Sequence, residues 1–336
     1  MRKFLPGVAL SLLAASVSPH SAAAEEATVL QTPNQIVDAA PAPDWVRIAP
    51  ADLVVMDLAP ATDGRARRVV IQLMPGPFSQ GWVGNIRKLV AARWYDGIAI
   101  VRVQDNYVVQ WGDPDGEVPG KAKPLPHELR TMPEAEYEAD ASTATDADLR
   151  RKIAALEELA AVMSRVSDMT PAEVLHGRDP YALVTGFEAG WPVASDGAHI
   201  WPTHCYGTVG VGRNLSPDTG TGAELYAVIG HAPRQLDRNI AVVGRVIAGM
   251  ENLSSLPRGT GELGFYETPA ERTAILSVRL GSEIPDLPAY EYLSTQSKSF
   301  AAYLDKRANR KDDFYIRPAG GVDICNVPVP VRTVQP

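Results

Sequence analysis

Two polar side chains, Arg102 and Gln110, stand in otherwise apolar, strand-like runs, Ile98 to Gln104 and Val108 to Gly112. A guanidinium carries a fixed charge and a rigid fork of donors. A carboxamide both donates and accepts. Side by side they could hold a planar carbonyl or amide. Whether they meet depends on the intervening segment, Asp105-Asn106-Tyr107. A three-residue hairpin loop with Asn106 near the left-handed conformation puts Arg102 directly opposite Gln110. A two-residue loop pairs Arg102 with Val109 instead and separates the two polar groups; the sequence leaves both open. Each residue also has an ordinary reading. An arginine in a strand is usually exposed or ion-paired, and Gln110 could be a polar rim residue. Tyr107, Tyr226 and Leu236 could wall an apolar pocket or belong to a core whose hydroxyls find partners.

Other chemistries find little support. His199, His204 and Cys205 lie close in sequence but match no closed zinc pattern, and no second Cys/His pair is nearby. There is no Gly-x-Ser-x-Gly elbow and no phosphate loop. No metal and no cofactor is called for.

The elements that must position these residues are mostly short strands. Leu53–Leu58 and Arg68–Leu73 are rich in β-branched residues, with an Asp63-Gly64 turn signal between them. Ser79 is placed to cap a helix reaching about Arg93, whose Trp82, Val83, Ile86, Leu89 and Val90 form one buried face. Further strands are expected at Tyr206–Val211, Glu224–Ile229, Ile240–Ile247 and Thr273–Leu280. Between about residues 115 and 203 the character changes. Thr145-Asp146-Ala147-Asp148 resembles a capping box ahead of a helix striped with Leu149, Ile153, Leu156, Ala160 and Met163. Thr170-Pro171-Ala172-Glu173 opens another short helix. This region reads as a helical insertion. A helix from about Ser294 to Arg310 and an extended tail end the chain.

The chain has 336 residues with a net charge of −8, so no basic patch for nucleic acid is expected. Arg2 and Lys3, the apolar stretch Phe4–Val17 and Ala22-Ala23-Ala24 follow the order of a secretory signal peptide, with an uncleaved anchor as the alternative. The apolar part is too short to span a bilayer. After cleavage no stable membrane insertion is expected. The two cysteines, Cys205 and Cys325, allow one disulfide in an exported chain. Two buried thiols are the alternative.

The block from Trp94-Tyr95-Asp96-Gly97 to Gln110-Trp111-Gly112-Asp113 resembles the central signature of the cyclophilin family. Gly222-Ala223-Glu224-Leu225-Tyr226 is similar to that family's Gly-Ser-Gln-Phe-Phe. Leu236-Asp237, Ile240 to Gly244 and Gly249-Met250 resemble a third block, in order and at matching spacing. The resemblance covers roughly Leu53 to Leu280. It implies a mainly β fold, a closed antiparallel eight-stranded barrel with capping helices, here with the insertion and a C-terminal arm added. It places Arg102 on the family's catalytic arginine, Gln110 on its substrate-binding glutamine, and Tyr107, Tyr226 and Leu236 around the proline pocket. Val101 stands where the family usually has His. Arg213 falls near its backbone-binding Asn, Gln235 on a Trp and Ile240 on a second His.

The activity implied is peptidyl-prolyl cis–trans isomerisation of exported, proline-containing polypeptides, in the periplasm or outside the cell. The division expected is a signal peptide over 1–24, a linker or arm over 25–44, a cyclophilin-like domain over 45–285 with the insertion at about 115–203, and a C-terminal helix and tail over 286–336. The departures at Val101 and Gln235 motivate an alternative, a catalytically weak module that binds peptides or a fixed partner.

Overall fold

The computed structural model describes residues 31–166, 179–312 and 314–334. The stretch expected to be a signal peptide, the first residues of the segment after it, and the helix expected at Thr170–Glu173 lie outside the described residues.

In chain order the helices that matter here are α1 (Pro33–Asp38), α2 (Gln80–Ala91), α3 (Ala147–Val166) and a C-terminal helix, Lys298–Ala308. The strands are β1 (Trp45–Arg47), β2 (Leu53–Leu58), β3 (Arg67–Leu73), β4 (Ala99–Val103), β5 (Val108–Gly112), β6 (Ala139–Asp140), β7 (Val184–Glu188) and β8 (Trp191–Ser195). They continue with β9 (His199–Pro202), β10 (Thr208–Val211), β11 (Leu225–Val228), β12 (Val242–Ala248), β13 (Thr273–Leu280), β14 (Tyr290–Leu293) and β15 (Val331–Thr333).

Eight strands close a barrel in the order β10-β11-β5-β4-β13-β2-β3-β12, every neighbour antiparallel. Closure leaves no strand edge unpaired. The two-residue period of a strand sorts the side chains. Val54, Met56 and Leu58 on β2 and Val69 and Ile71 on β3 join the main core, while Leu53 and Val70 turn the other way and pack with Tyr290 of β14. Helix α2 seats the face expected for it: Trp82, Val83, Ile86, Leu89 and Val90 are all buried. Ser79 precedes this helix but does not cap it with its side chain, because its own backbone is left-handed, φ 53°.

Helix α2 also holds the segment that leads into β11. The Trp82 indole donates to the carbonyls of Thr219 and Gly220 at 3.1 and 3.0 Å. Asn85 donates to the carbonyl of Thr221 at 3.0 Å.

The insertion is mixed rather than only helical. Strands β6, β9, β8 and β7 form a four-stranded antiparallel sheet beside α3. The β7–β8 hairpin turns on Ala189 and Gly190, both at positive φ, 47° and 83°. That is the twist a two-residue hairpin needs, supplied in its first position by an alanine that carries no turn signal. Helix α3 is capped by Asp146, whose carboxylate accepts from the backbone N–H groups of Asp148 and Leu149, rather than by Thr145.

Residues 33–44, read from sequence as linker or arm, contain α1. Thr32 and Gln35 make its capping box and Pro33 occupies its first position. Strand β1 pairs with β14, which pairs with β15, so Trp45–Arg47 belongs to a small C-terminal sheet and not to the barrel. This sheet, α1 and the C-terminal helix share a core containing Trp45, Leu293, Phe300, Tyr303 and Phe187 of the insertion. A disulfide joins Cys205 to Cys325, 120 residues apart, with 5.0 Å between the Cα atoms. Among the described residues no helix is long and apolar enough to cross a membrane.

Candidate active site

The hairpin between β4 and β5 has the three-residue loop: Val103 pairs with Val109, Gln104 accepts the N–H of Tyr107, and Asn106 sits at φ 52°. Arg102 is therefore the direct partner of Gln110. One more irregularity aims it. Ile100 pairs with Trp111 and Arg102 with Gln110, so Val101 is the extra residue of a β-bulge. Bulges bend a strand and redirect its side chains. Past the bulge, β4 leaves β13: the carbonyl of Val101 accepts from Tyr266 N–H at 2.9 Å, and Arg102 forms an isolated bridge with Phe265.

Register then extends the row. Gln110 on β5 is opposite Tyr226 on β11, and Tyr226 is opposite Gly210 on β10. Directly opposite residues share a face. Arg102, Gln110, Tyr226 and Gly210 thus form one lateral row across four strands. Their neighbours Val103, Val109, Trp111, Ala227 and Val209 point the other way, into the main core. Gly210 provides the room at the end of the row: a methyl there would overlap the ring and hydroxyl of Tyr226. On the same face, Tyr226 packs with Val108, Val228, Tyr107, Leu236 and Ile240 in a small separate apolar cluster. Tyr107, Leu236 and Ile240 are only partly covered, so this cluster has an open side.

The guanidinium of Arg102 is held on three sides. Its Nε donates to the carbonyl of Leu263 at 2.8 Å, Nη1 to Oε1 of Gln110 at 3.0 Å, and Nη2 to Oε1 of Gln104. The rings of Tyr107 and Phe265 lie 5.6 and 5.1 Å from its Cζ. An arginine has five N–H groups, so one remains on each terminal nitrogen. Burial pushes its pKa down, opposed by the favourable influence of Tyr107 and Glu224. The group stays cationic, as arginine does in proteins.

Gln110 is fixed from the other side. Its Nε2 donates to Oε1 of Glu224, which orders the relay Arg102–Gln110–Glu224. Glu224 lies across Gly212, where a Cβ would stand 2.8 Å from its Cγ. Burial raises the Glu224 pKa, while the bond from Gln110 lowers it. Sequence reasoning missed this residue; its signal was the position two before Tyr226, on the same face of the strand. The cleft beside the relay has a volume of about 570 Å³ and includes Val101, Arg102, Gln110, Arg213, Glu224 and Phe265. Arg213 donates to the carbonyls of Asn239 and Asn214. Gln235 is exposed.

The arrangement can grip a small apolar ring between Tyr107, Tyr226 and Leu236 and present guanidinium and carboxamide donors to a polar group attached to it. His204 and Cys205 have their partners within the protein. Both ring nitrogens of His204 bond to Tyr226 and Asp237, and Cys205 is in the disulfide.

Residues 62–280 match the family described as cyclophilin type peptidyl-prolyl cis-trans isomerase/CLD. No curated protein matches the chain. Among solved structures, a cyclophilin from Hirschia baltica superposes with a TM-score of 0.58 at 20% identity, covering 91% of this chain and 99% of that one. A cyclophilin type peptidyl-prolyl cis-trans isomerase from Cryptosporidium parvum, determined in the presence of the dipeptide Ala-Pro, covers 68% of this chain and 98% of its own at 12% identity, with a TM-score of 0.36.

Proposed function

The chain belongs to the cyclophilin type of peptidyl-prolyl cis–trans isomerases, and from that premise we propose that it turns X–Pro bonds of exported polypeptides with Arg102 as the catalytic residue. The observation that carries this reading is the lateral row that sets the Arg102 guanidinium beside the open apolar cluster of Tyr107, Tyr226 and Leu236.

Rotation of an X–Pro bond breaks amide resonance, against a barrier of about 18–20 kcal/mol. The planar amide is more charge-separated than the twisted one, so water favours the planar form. Seating the proline ring against Tyr107, Val108, Tyr226 and Leu236 removes part of that advantage. As the amide twists, the proline nitrogen becomes pyramidal and gains a lone pair. The remaining N–H groups of Arg102 donate to it. That bond strengthens only along the twist, and only interactions stronger in the transition state speed a reaction. Gln110 keeps one Nε2 hydrogen for the substrate carbonyl while its oxygen holds Arg102. A factor of about 10⁵ asks for roughly 7 kcal/mol from these effects together. No covalent intermediate, metal or cofactor enters the scheme.

Exchange spectroscopy on a short Ala–Pro peptide tests the activity. The purified protein is expected to speed cis–trans exchange. Shifted peptide resonances without faster exchange would support a recognition module instead, a role motivated by Val101 and Gln235.

Export rests on the leader, Arg2 to Ala24. Fractionation with N-terminal sequencing is expected to find a chain beginning at Glu25 in the periplasm or medium. A cytoplasmic protein that keeps its leader would contradict this part of the proposal.

A further inference from the structure

We propose that His204 is a positioning residue for the isomerase pocket, holding the ring of Tyr226 in place as its wall; this rests on the isomerase reading above. Tyr226 is 5% exposed, and its hydroxyl is buried. A buried hydroxyl without a partner is costly, and Tyr226 finds one in Nε2 of His204 at 2.9 Å. His204 itself is 0% exposed. Its Nδ1 faces Oδ1 of Asp237 at 3.0 Å, and the same oxygen accepts the His204 backbone N–H at 2.8 Å. A carboxylate beside Nδ1 fixes the tautomer: Nδ1–H donates to Asp237, leaving the Nε2 lone pair to accept the Tyr226 O–H.

The chain of contacts continues into the insertion. The other oxygen of Asp237 accepts from Nε of Arg234 at 2.5 Å, and Arg234 reaches Asp179 at 3.2 Å. Arg234 is 3% exposed and Asp237 8%, so this is an internal brace and not a surface pair. His204 is further tethered by its neighbour Cys205, covalently joined to the C-terminal arm through Cys325.

The Tyr226 ring is thus confined at its hydroxyl end. Gly210 leaves the space that the ring's Cζ and hydroxyl occupy, and that hydroxyl is bonded to a fully buried imidazole. A phenolic ring free at its tip could tilt off Gly210 and blur the pocket. Fixed, it offers the proline ring a preformed flat wall, which lowers the ordering cost of binding. Its effect is on seating the ring, before and during the twist, and so appears chiefly in KM.

The test compares kcat and KM for one Ala–Pro tetrapeptide in wild type, His204→Gln, Tyr226→Phe and the double variant, each checked for native near-UV circular dichroism. Gln keeps an acceptor, its Oε1, for the phenolic O–H, so His204→Gln is expected to raise KM about twofold, with kcat nearly unchanged. Tyr226→Phe, which keeps the ring and frees its tip, is expected to raise KM about fivefold. The double variant is expected to match Tyr226→Phe, because both changes act on one bond. A wild-type KM in Tyr226→Phe, or effects that multiply in the double variant, would overturn the proposal even if His204→Gln failed to fold. Wild type without any isomerase activity would instead overturn the reading on which the proposal rests.

Discussion

Nη1 of Arg102 donates to Oε1 of Gln110 at 3.0 Å across the β4–β5 hairpin, and the same Gln110 donates through Nε2 to Glu224. Gln110 therefore cannot reverse its amide without losing both bonds. It reads the two charges on either side and fixes the direction in which Arg102 points. Replacing Gln110 with Ala removes this guide and the substrate's carbonyl donor together. We expect kcat/KM to fall about tenfold or more, equivalent to about 1.4 kcal/mol or more, in a protease-coupled isomerisation assay. An unchanged value would mean that Leu263 and Gln104 alone orient the guanidinium.

Glu224 carries a pH signature. Burial raises its pKa in the folded chain. A carboxyl with a raised folded value stabilises the native state below its unfolded value, and that contribution is lost as pH rises through the folded one. Glu224→Gln does not titrate. The Tm of this variant, relative to wild type, is therefore expected to climb as pH rises above the ordinary carboxylate range. A gap that stays constant over that rise would show that Glu224 titrates as an ordinary carboxylate.

Gly210 is needed for its missing side chain. A Cβ there would overlap the Tyr226 ring, backed by buried His204. Gly210→Ala should cost about 1–3 kcal/mol in urea unfolding, the usual penalty of overpacking, and should raise KM for the peptide. A stable variant with a wild-type KM would mean that the ring relaxes freely.

The Cys205–Cys325 bridge spans 120 residues and ties the barrel to the C-terminal arm. On the chain-entropy model a loop of this length contributes about 4–5 kcal/mol. Reduction, or Cys325→Ser, should lower the urea midpoint accordingly. An unchanged midpoint would show that the shared core of Trp45, Phe300 and Phe187 holds the arm without it.

Local rules made parts of this fold legible, and long-range contacts hid others. The α2 face could be read because Trp82, Val83, Ile86, Leu89 and Val90 repeat at helical spacing. The Arg102–Gln110 pairing depended on one loop length that sequence left open; the left-handed Asn106 decided it. The bulge at Val101 has no sequence mark, yet it turns Arg102 toward Phe265. The insertion sheet was missed because Ala189 takes a conformation usually signalled by Gly or Asn, and because Pro192 and Pro202 sit within its strands. Helix α1 lies in a stretch whose Ala and Pro content reads as linker; the Thr32–Gln35 capping box is the local mark that gives it away. His204 drew attention only beside Cys205. Its actual partners, Tyr226 and Asp237, lie 22 and 33 residues away, and only the closure of the barrel brings them together.

The central claim is that Arg102 lowers the barrier by binding the twisted amide better than the planar one. Cis–trans exchange of an Ala–Pro peptide, measured by NMR together with the peptide's Kd, separates these states in wild type, Arg102→Lys and Arg102→Ala. A lysine keeps the charge but loses the fork. The account predicts catalysed exchange slowed about tenfold or more in Arg102→Lys and further in Arg102→Ala, with Kd changed no more than about threefold. Exchange as fast in Arg102→Ala as in wild type, or a loss of rate matched by an equal loss of binding, would contradict it.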